Sequence, residues 1–209
     1  MTLNHKPLPS FGMVPTDPTR VLLVQQHGRT WCPPKGRMEE VDGGNPIKTA
    51  SRELREETGY NSVLKGGERL STITNVGMPK HRFVYAKDKD LSSKDEYVPL
   101  STTITRPTFG CRPDGEPGTV KLGWFGPERK FTYYLGLCKD LDKIDFSAKR
   151  DPAITDMKFV PFEELHLMCR PSNKKFNNYL HPEDYNAIVT LVQRSIDQYK
   201  AKIAQAQRN

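Results

Sequence analysis

Residues 31–60 read WCPPKGRMEEVDGGNPIKTASRELREETGY, and the second half of this stretch has the ends of a helix written into it. Asn45 is of the type that caps a first turn. Pro46 suits the first helical position, where its missing N–H has no partner to lose. Gly59 predicts a left-handed close at the far end. At about 100° per residue, Ile47, Ala50, Ser51, Leu54 and Thr58 share one side, which predicts a core-facing stripe. Glu53, Glu56 and Glu57 fall away from that side on a single flank, because they are spaced i, i+3 and i+4.

Three carboxylates so close repel one another, and Arg52, one turn before Glu56, relieves only part of that repulsion. A solvated charged face is the ordinary meaning of such a run. The chemical alternative is a site for a hard divalent cation. Mg²⁺ takes oxygen ligands and keeps waters that exchange with substrate phosphates.

The flanks decide between the two. The order Gly36, Arg52-Glu53-Leu54, Glu56-Glu57, Gly59-Tyr60 resembles the signature of the Nudix hydrolases, G-x5-E-x7-R-E-U-x-E-E-x-G-U, with U aliphatic or aromatic. The spacing departs from that pattern in one place. Gly36 and Arg52 lie two residues further apart than in the family, and counting back from Arg52 puts Gly44 where the early Glu belongs. Asp42, Glu40 and Glu39 are the available substitutes. The lead-in also resembles the family, with the Leu- and Val-rich RVLLVQ running into WCPPKG, and so does the late MKFVPFEEL.

The resemblance implies an α/β fold, a Nudix-type α/β/α sandwich with a mixed sheet. It implies Mg²⁺ as cofactor, with Mn²⁺ as a substitute. Glu56 and Glu57 are then the leading metal ligands, and Glu53 adds a ligand or polarises the attacking water. The Gly36 carbonyl also binds metal, and Arg52 orients Glu56 without touching substrate. Lys35 would face the phosphates instead of standing as a solvated lysine, with Arg37 and Arg82 completing the substrate-binding set. Many members use a further acid from a late loop. Asp151 is the candidate, Glu128 and Asp156 are its rivals, and each taken singly is an ordinary surface carboxylate.

The chain of 209 residues is read as one domain, 1–209, with a loose lead-in over 1–9, a polar, turn-rich insertion over 87–129 carrying its own hairpin, and a C-terminal helix over 182–206. Ser10–Val14 is a short, mostly apolar piece, and strands are predicted at Arg20–Gln25 (central and buried on both faces), Asn61–Leu64, Arg69–Ile73, His81–Ala86, Lys130–Cys138 and Met157–Pro161. In the C-terminal helix, Ala187, Ile188, Leu191, Val192, Ile196, Tyr199 and Ile203 recur at helical spacing and face the core.

Hydrophobic residues make up 35% of the chain and mean hydropathy is −0.68, which predicts a soluble protein with long polar loops. No apolar run reaches the length of a membrane span. The first residues lack the layout of a secretory signal, so the expectation is intracellular and cytoplasmic. Cys32, Cys111, Cys138 and Cys169 have no paired spacing, which predicts free thiols in a reducing compartment.

A formal charge of +7 favours polyanionic partners, spread over a pocket and its rim because no block of like charge stands out. WCPPKG looks most like the lead-in of dinucleoside tetraphosphate hydrolases. Lys80, Arg82, Arg112, Arg129 and Lys130 would equally suit a diphosphoinositol polyphosphate or a 5′-capped RNA. Phe125, Tyr133 and Tyr134 offer either a stacking surface for a base or core packing. Nucleic acid has no dedicated motif here, no membrane partner is expected, and oligomeric state is not written in the sequence. The expected activity is thus hydrolysis of a phosphoanhydride bond in a polyphosphorylated small molecule. The rival is a Nudix-fold module that binds nucleotide or RNA without cleaving it.

Overall fold

The computed structural model describes residues 9–17, 19–60, 73–74, 82–83, 100–109, 125–138, 141, 144–145, 151–169 and 179–208. Its mixed sheet is best understood as two halves joined at one point. In the first half, β1 (Ser10–Thr16) runs parallel to β8 (Phe125–Leu137) along its whole length, and β8 pairs antiparallel with β7 (Ser101–Phe109). In the second, β2 (Arg20–Gln26) runs antiparallel to β9 (Ile154–Pro161). β1 and β2 pair at Thr16 and Val21. Beyond that pair, β3 (Thr30–Cys32) lines up on β2, while β4 (Lys35–Arg37) lines up on β1. The short β10 (Tyr179–Leu180) closes the edge in parallel with β3. The WCPPKG stretch therefore crosses from one half to the other, where the two strands diverge.

Helix α1 (Pro46–Thr58) forms as its ends dictate. The Asn45 side chain accepts the N–H groups of Ile47 and Lys48 at 3.0 and 3.3 Å. Gly59 takes φ 72°, which only glycine adopts without strain, and its N–H reaches the Arg55 carbonyl. Ala50 and Leu54 bury against Met13 and Tyr134 on one face of the sheet. Helix α2 (Pro182–Ala206) covers the other face, where Ala187, Ile188, Leu191, Val192 and Ile196 meet Val14, Val21, Leu23, Tyr133 and Leu135. Neighbouring residues on one strand thus serve opposite layers, Met13 and Val14 on β1, Tyr134 and Tyr133 on β8, as a period of two requires. This is the expected α/β/α sandwich.

One expectation changes and one open alternative is settled. Residues 101–109 and 125–129 lie inside the stretch read as a loop insertion, yet they form β7 and the start of β8, paired from Ser101↔Tyr134 to Phe109↔Phe125. β-branched Thr102, Thr103, Ile104 and Thr105 carry that strand, and their polar hydroxyls are what disguised it. Tyr133 and Tyr134 are core residues, 0% and 8% exposed, so neither offers a stacking surface. The predicted strands at 61–64, 69–72, 81 and 84–86 lie outside the described residues, as do Lys80, Cys111 and Arg112. Of that region, β5 (Ile73–Thr74) pairs with β6 (Arg82–Phe83). Cys32 and Cys138 are free and buried, and burial raises their thiols to about 11 and about 12, which keeps them unreactive.

A polar cluster that periodicity does not disclose ties α2 to the sheet. Asp184, fully buried in the first turn of α2, accepts the Tyr133 hydroxyl at 2.8 Å and pairs with the Arg106 guanidinium at 3.2 Å. Arg106 in turn lies over the Phe131 ring, its guanidinium carbon 4.6 Å from the centroid. A carboxylate at the start of a helix also gains from the helix dipole.

Candidate active site

The acidic flank of α1 faces the place where the sheet halves part, and its three carboxylates fare differently there. Glu53 is 8% exposed and Glu57 only 3%, so both are drawn into the protein instead of into solvent as the helical wheel suggests. Glu56 stays largely open, with 45% of its side chain exposed.

Glu57 is held from two strands. One carboxylate oxygen accepts the Lys35 backbone N–H at 3.0 Å, and the other accepts the Gln26 side-chain amide at 2.8 Å. Burial nevertheless dominates and pushes its carboxyl up to about 7, against the opposing pull of the Lys35 ammonium and these two donors. Burial raises Glu53 as well, with Arg52 opposing. For both inner carboxylates, then, burial outweighs the cations beside them.

Gly36 explains its own identity. Its missing Cβ leaves room for the Glu53 carboxylate, which a methyl group there would strike. Gly36→Ala is expected to lower turnover at least tenfold by displacing Glu53, while costing less than about 1 kcal/mol of stability, because the obstructed group is the end of a flexible side chain. Steady-state rates together with urea unfolding check both halves.

Arg52 is the hub of the flank. Its guanidinium bonds both oxygens of Asp42, at 3.1 and 3.0 Å, and the Arg37 carbonyl at 2.8 Å. A single nitrogen, Nη1, bridges Glu56 and Glu53, each at 2.8 Å. The hydrogen bonds Arg52 donates to Asp42, reinforced by that to Glu56, hold the guanidinium firmly in its charged form.

Of the three acids able to replace the early Glu of the motif, the structure thus selects Asp42. It is 2% exposed and also accepts the Thr49 hydroxyl at 3.0 Å and the Glu39 N–H at 2.9 Å. The Arg52 hydrogen bond leads in lowering its carboxyl to about 2. Counting forward from Gly36 would have found it, because five residues separate Gly36 from Asp42, as the motif asks. The two extra residues lie between Asp42 and Arg52, in the Gly43-Gly44 turn and the cap.

The remaining predicted residues are scattered around this flank. Lys35 is buried, with its ammonium 2.6 Å from the Gln26 side-chain oxygen and 5.8 Å from the Phe131 ring centroid. Arg37 ends β4 at the surface. Arg82 falls in β6, where its backbone pairs with Thr74. Asp151 is brought to α1 by its backbone, whose N–H donates to the Glu56 carbonyl at 3.1 Å, while its exposed carboxylate accepts the Ala153 N–H at 2.7 Å. Glu128 is exposed on β8, and exposed Asp156 on β9 accepts the Met157 N–H. Gln26, which contacts both Lys35 and Glu57, was not signalled by the sequence at all.

The raised carboxyls set a pH dependence. For Glu57 the ordinary value is 4.5 and the folded value about 7. Below the first value, folded and unfolded chains both hold the proton. Between the two, only the unfolded chain ionises, so stability is lost as pH rises through that window, by about 3 kcal/mol in all. The metal-free protein is expected to melt at lower temperature at pH 8 than at pH 5.5, with added Mg²⁺ narrowing the gap. Melting curves in chelator and in Mg²⁺ check this.

Among the described residues, no helix is long and apolar enough to cross a membrane. No curated protein sequence matches the chain. Solved structures do resemble it. A C. elegans Ap4A hydrolase binary complex aligns at 16% identity over 89% of this chain and 96% of that one, with a TM-score of 0.49. A NUDIX hydrolase from Nitrosomonas europaea aligns at 15% identity over 91% of each chain, with a TM-score of 0.50. The NUDIX domain of Shewanella oneidensis NrtR, complexed with ADP ribose, aligns at 12% identity over 91% of this chain and 88% of that one, with a TM-score of 0.46. At 15% identity the Nitrosomonas europaea likeness speaks for the fold alone. The sequence itself matches the NUDIX domain over residues 6–117, just over half its length, across β1 to β4 and the whole of α1. The chain belongs to the Nudix hydrolase family.

Proposed function

We propose that this protein hydrolyses a phosphoanhydride bond in a nucleoside-diphosphate-linked substrate, foremost a dinucleoside polyphosphate, with Mg²⁺ as cofactor and Mn²⁺ as its substitute. The observation that carries the reading is the placement of three carboxylates on one flank of α1, Glu53 and Glu57 buried and Glu56 open. A divalent cation would offset their mutual repulsion and the cost of burying their charge, and carboxylate oxygens are the donors Mg²⁺ prefers. The Gly36 carbonyl, water and substrate oxygens would complete its shell.

When bound, the metal supplies neutralisation of phosphate charge and a water of lowered pKa. The protein's share is placement. Glu56 and Glu57 are assigned as ligands, and Glu53, packed against Gly36, as a further ligand or the group that polarises water. Arg52 is occupied by Asp42 and so serves to orient Glu56. Lys35, Arg37 and Arg82 are assigned to substrate phosphates. Asp151, anchored beside Glu56, is preferred over Glu128 and Asp156 as the late-loop acid. All of this is read as one domain over 1–209, supported by a single sheet that draws strands from Ser10 through Leu180.

The binding-module alternative drew its support from the lengthened loop. The pairing of Asp42 with Arg52 weighs against it, since the lengthened loop still supplies an acid that holds the motif arginine in place. Incubation with Mg²⁺ and dinucleoside polyphosphates, diphosphoinositol polyphosphates, 5′-capped RNA and ADP-ribose, followed by product analysis, tests the proposal. Fastest turnover of the dinucleoside polyphosphates is expected. Tight binding of one compound with turnover of none would instead establish the binding module.

A further inference from the structure

We infer that Gln26 is a positioning residue for Glu57, fixing the orientation in which that carboxylate meets a divalent cation; this rests on the metal-site reading above. Gln26 is the last residue of β2, and its amide spans two partners. Its oxygen accepts the Lys35 ammonium at 2.6 Å, and its nitrogen donates to Glu57 at 2.8 Å. An ammonium only donates, so the amide has one permissible orientation, with the NH₂ directed at the carboxylate. Because the second Glu57 oxygen accepts the Lys35 N–H, the carboxylate is gripped at both oxygens and its plane is set. Each oxygen keeps a lone pair for another partner.

The backbone is shaped around this side chain. The β2–β9 ladder shifts register between Gln25 and Gln26, the kind of irregularity that re-aims a side chain beside a site. The next residues, His27 (φ 52°) and Gly28 (φ 64°), make the hairpin turn into β3, closed by the Arg29 N–H on the Gln26 carbonyl at 3.0 Å, and the His27 N–H is anchored on the Ala153 carbonyl at 2.7 Å. The two short side-chain hydrogen bonds thus fall on one half-buried amide at a strand end whose position the turn and the register shift fix.

The test uses the full chain. Mn²⁺ alone is titrated into metal-free protein and followed by electron paramagnetic resonance, and kcat and KM are measured on a dinucleoside polyphosphate in Mg²⁺. Gln26→Met keeps the side-chain length without the hydrogen bonds. It is expected to weaken Mn²⁺ binding about tenfold or more and to lower kcat by a factor of about 10–100, with KM moving less than about threefold. Gln26→Asn keeps the amide but falls one methylene short of bridging Lys35 and Glu57, so it is expected to behave in the same way. Both are expected to melt within a few degrees of the wild type. Wild-type Mn²⁺ affinity in either variant overturns the inference and leaves the metal site standing. Wild-type protein that binds no Mn²⁺ overturns the metal site and this inference with it.

Discussion

Glu57→Gln is expected to leave a folded protein whose kcat is at least about a thousandfold lower, close to 4 kcal/mol of lost transition-state stabilisation. The substitution preserves volume and removes the charge. Glutamine has one acceptor oxygen, so its NH₂ must face either the Gln26 amide or the Lys35 N–H, each of which now donates to Glu57. That conflict costs about 1–3 kcal/mol. Relief of a buried charge whose ionisation burial opposes offsets part of it. The fold should therefore survive while metal affinity and turnover collapse. Glu56→Gln is expected to lose turnover by orders of magnitude too, with less effect on melting, because Glu56 is the exposed member of the set. Saturating-Mg²⁺ kinetics and thermal melting of both variants decide the matter. Turnover within tenfold of wild type for Glu57→Gln would remove Glu57 from the metal site.

The second large effect concerns stability. Asp42→Ala is expected to lower the free energy of unfolding by about 1.5–3 kcal/mol, because it removes the two-pronged, charge-assisted partner of the Arg52 guanidinium, which is 9% exposed. Turnover should fall as well. A guanidinium released from Asp42 keeps Glu53 and Glu56 as its partners and would compete with the cation for them. Asp42→Asn retains one acceptor oxygen and is expected to lose less. The charged form of Asp42 contributes stability above its ordinary value of 3.8 and gives it up as pH falls toward about 2. The penalty for Asp42→Ala should accordingly shrink in acid, which urea unfolding across that range measures. A loss below about 1 kcal/mol at neutral pH would mean that Asp42 is not what holds Arg52.

Local chemistry settled a great deal in advance. The Asn45 cap, Pro46 at the first turn and Gly59 at the close are decided by the backbone needs of residues within one turn of each other, and α1 has those bounds. Family membership likewise follows from side chains at fixed intervals along one helix. The buried β2 strand and the core stripe of α2 follow from periodicity, which reports how one element faces its neighbours. Periodicity also misled. It placed all three glutamates on one flank away from the core stripe, and only packing shows that strands β2 and β4 approach α1 from that side and enclose two of them.

What packing alone decided is which distant groups meet. Three acids stand between Gly36 and Gly44; counting forward from Gly36 points to Asp42, and the folded turn is what brings it inward onto Arg52. Tyr133 and Tyr134 read alike in sequence, and only the sheet shows them buried in opposite layers. Threonines of 102–105 looked like loop until β8 was there to pair with them. Gln26, Lys35 and Glu57 are brought together because β2 and β1 diverge and the WCPPKG stretch spans the gap. The reason is common to all four cases: caps and periods are written in interactions over a few residues, while contacts between remote segments depend on how whole elements fill space against one another.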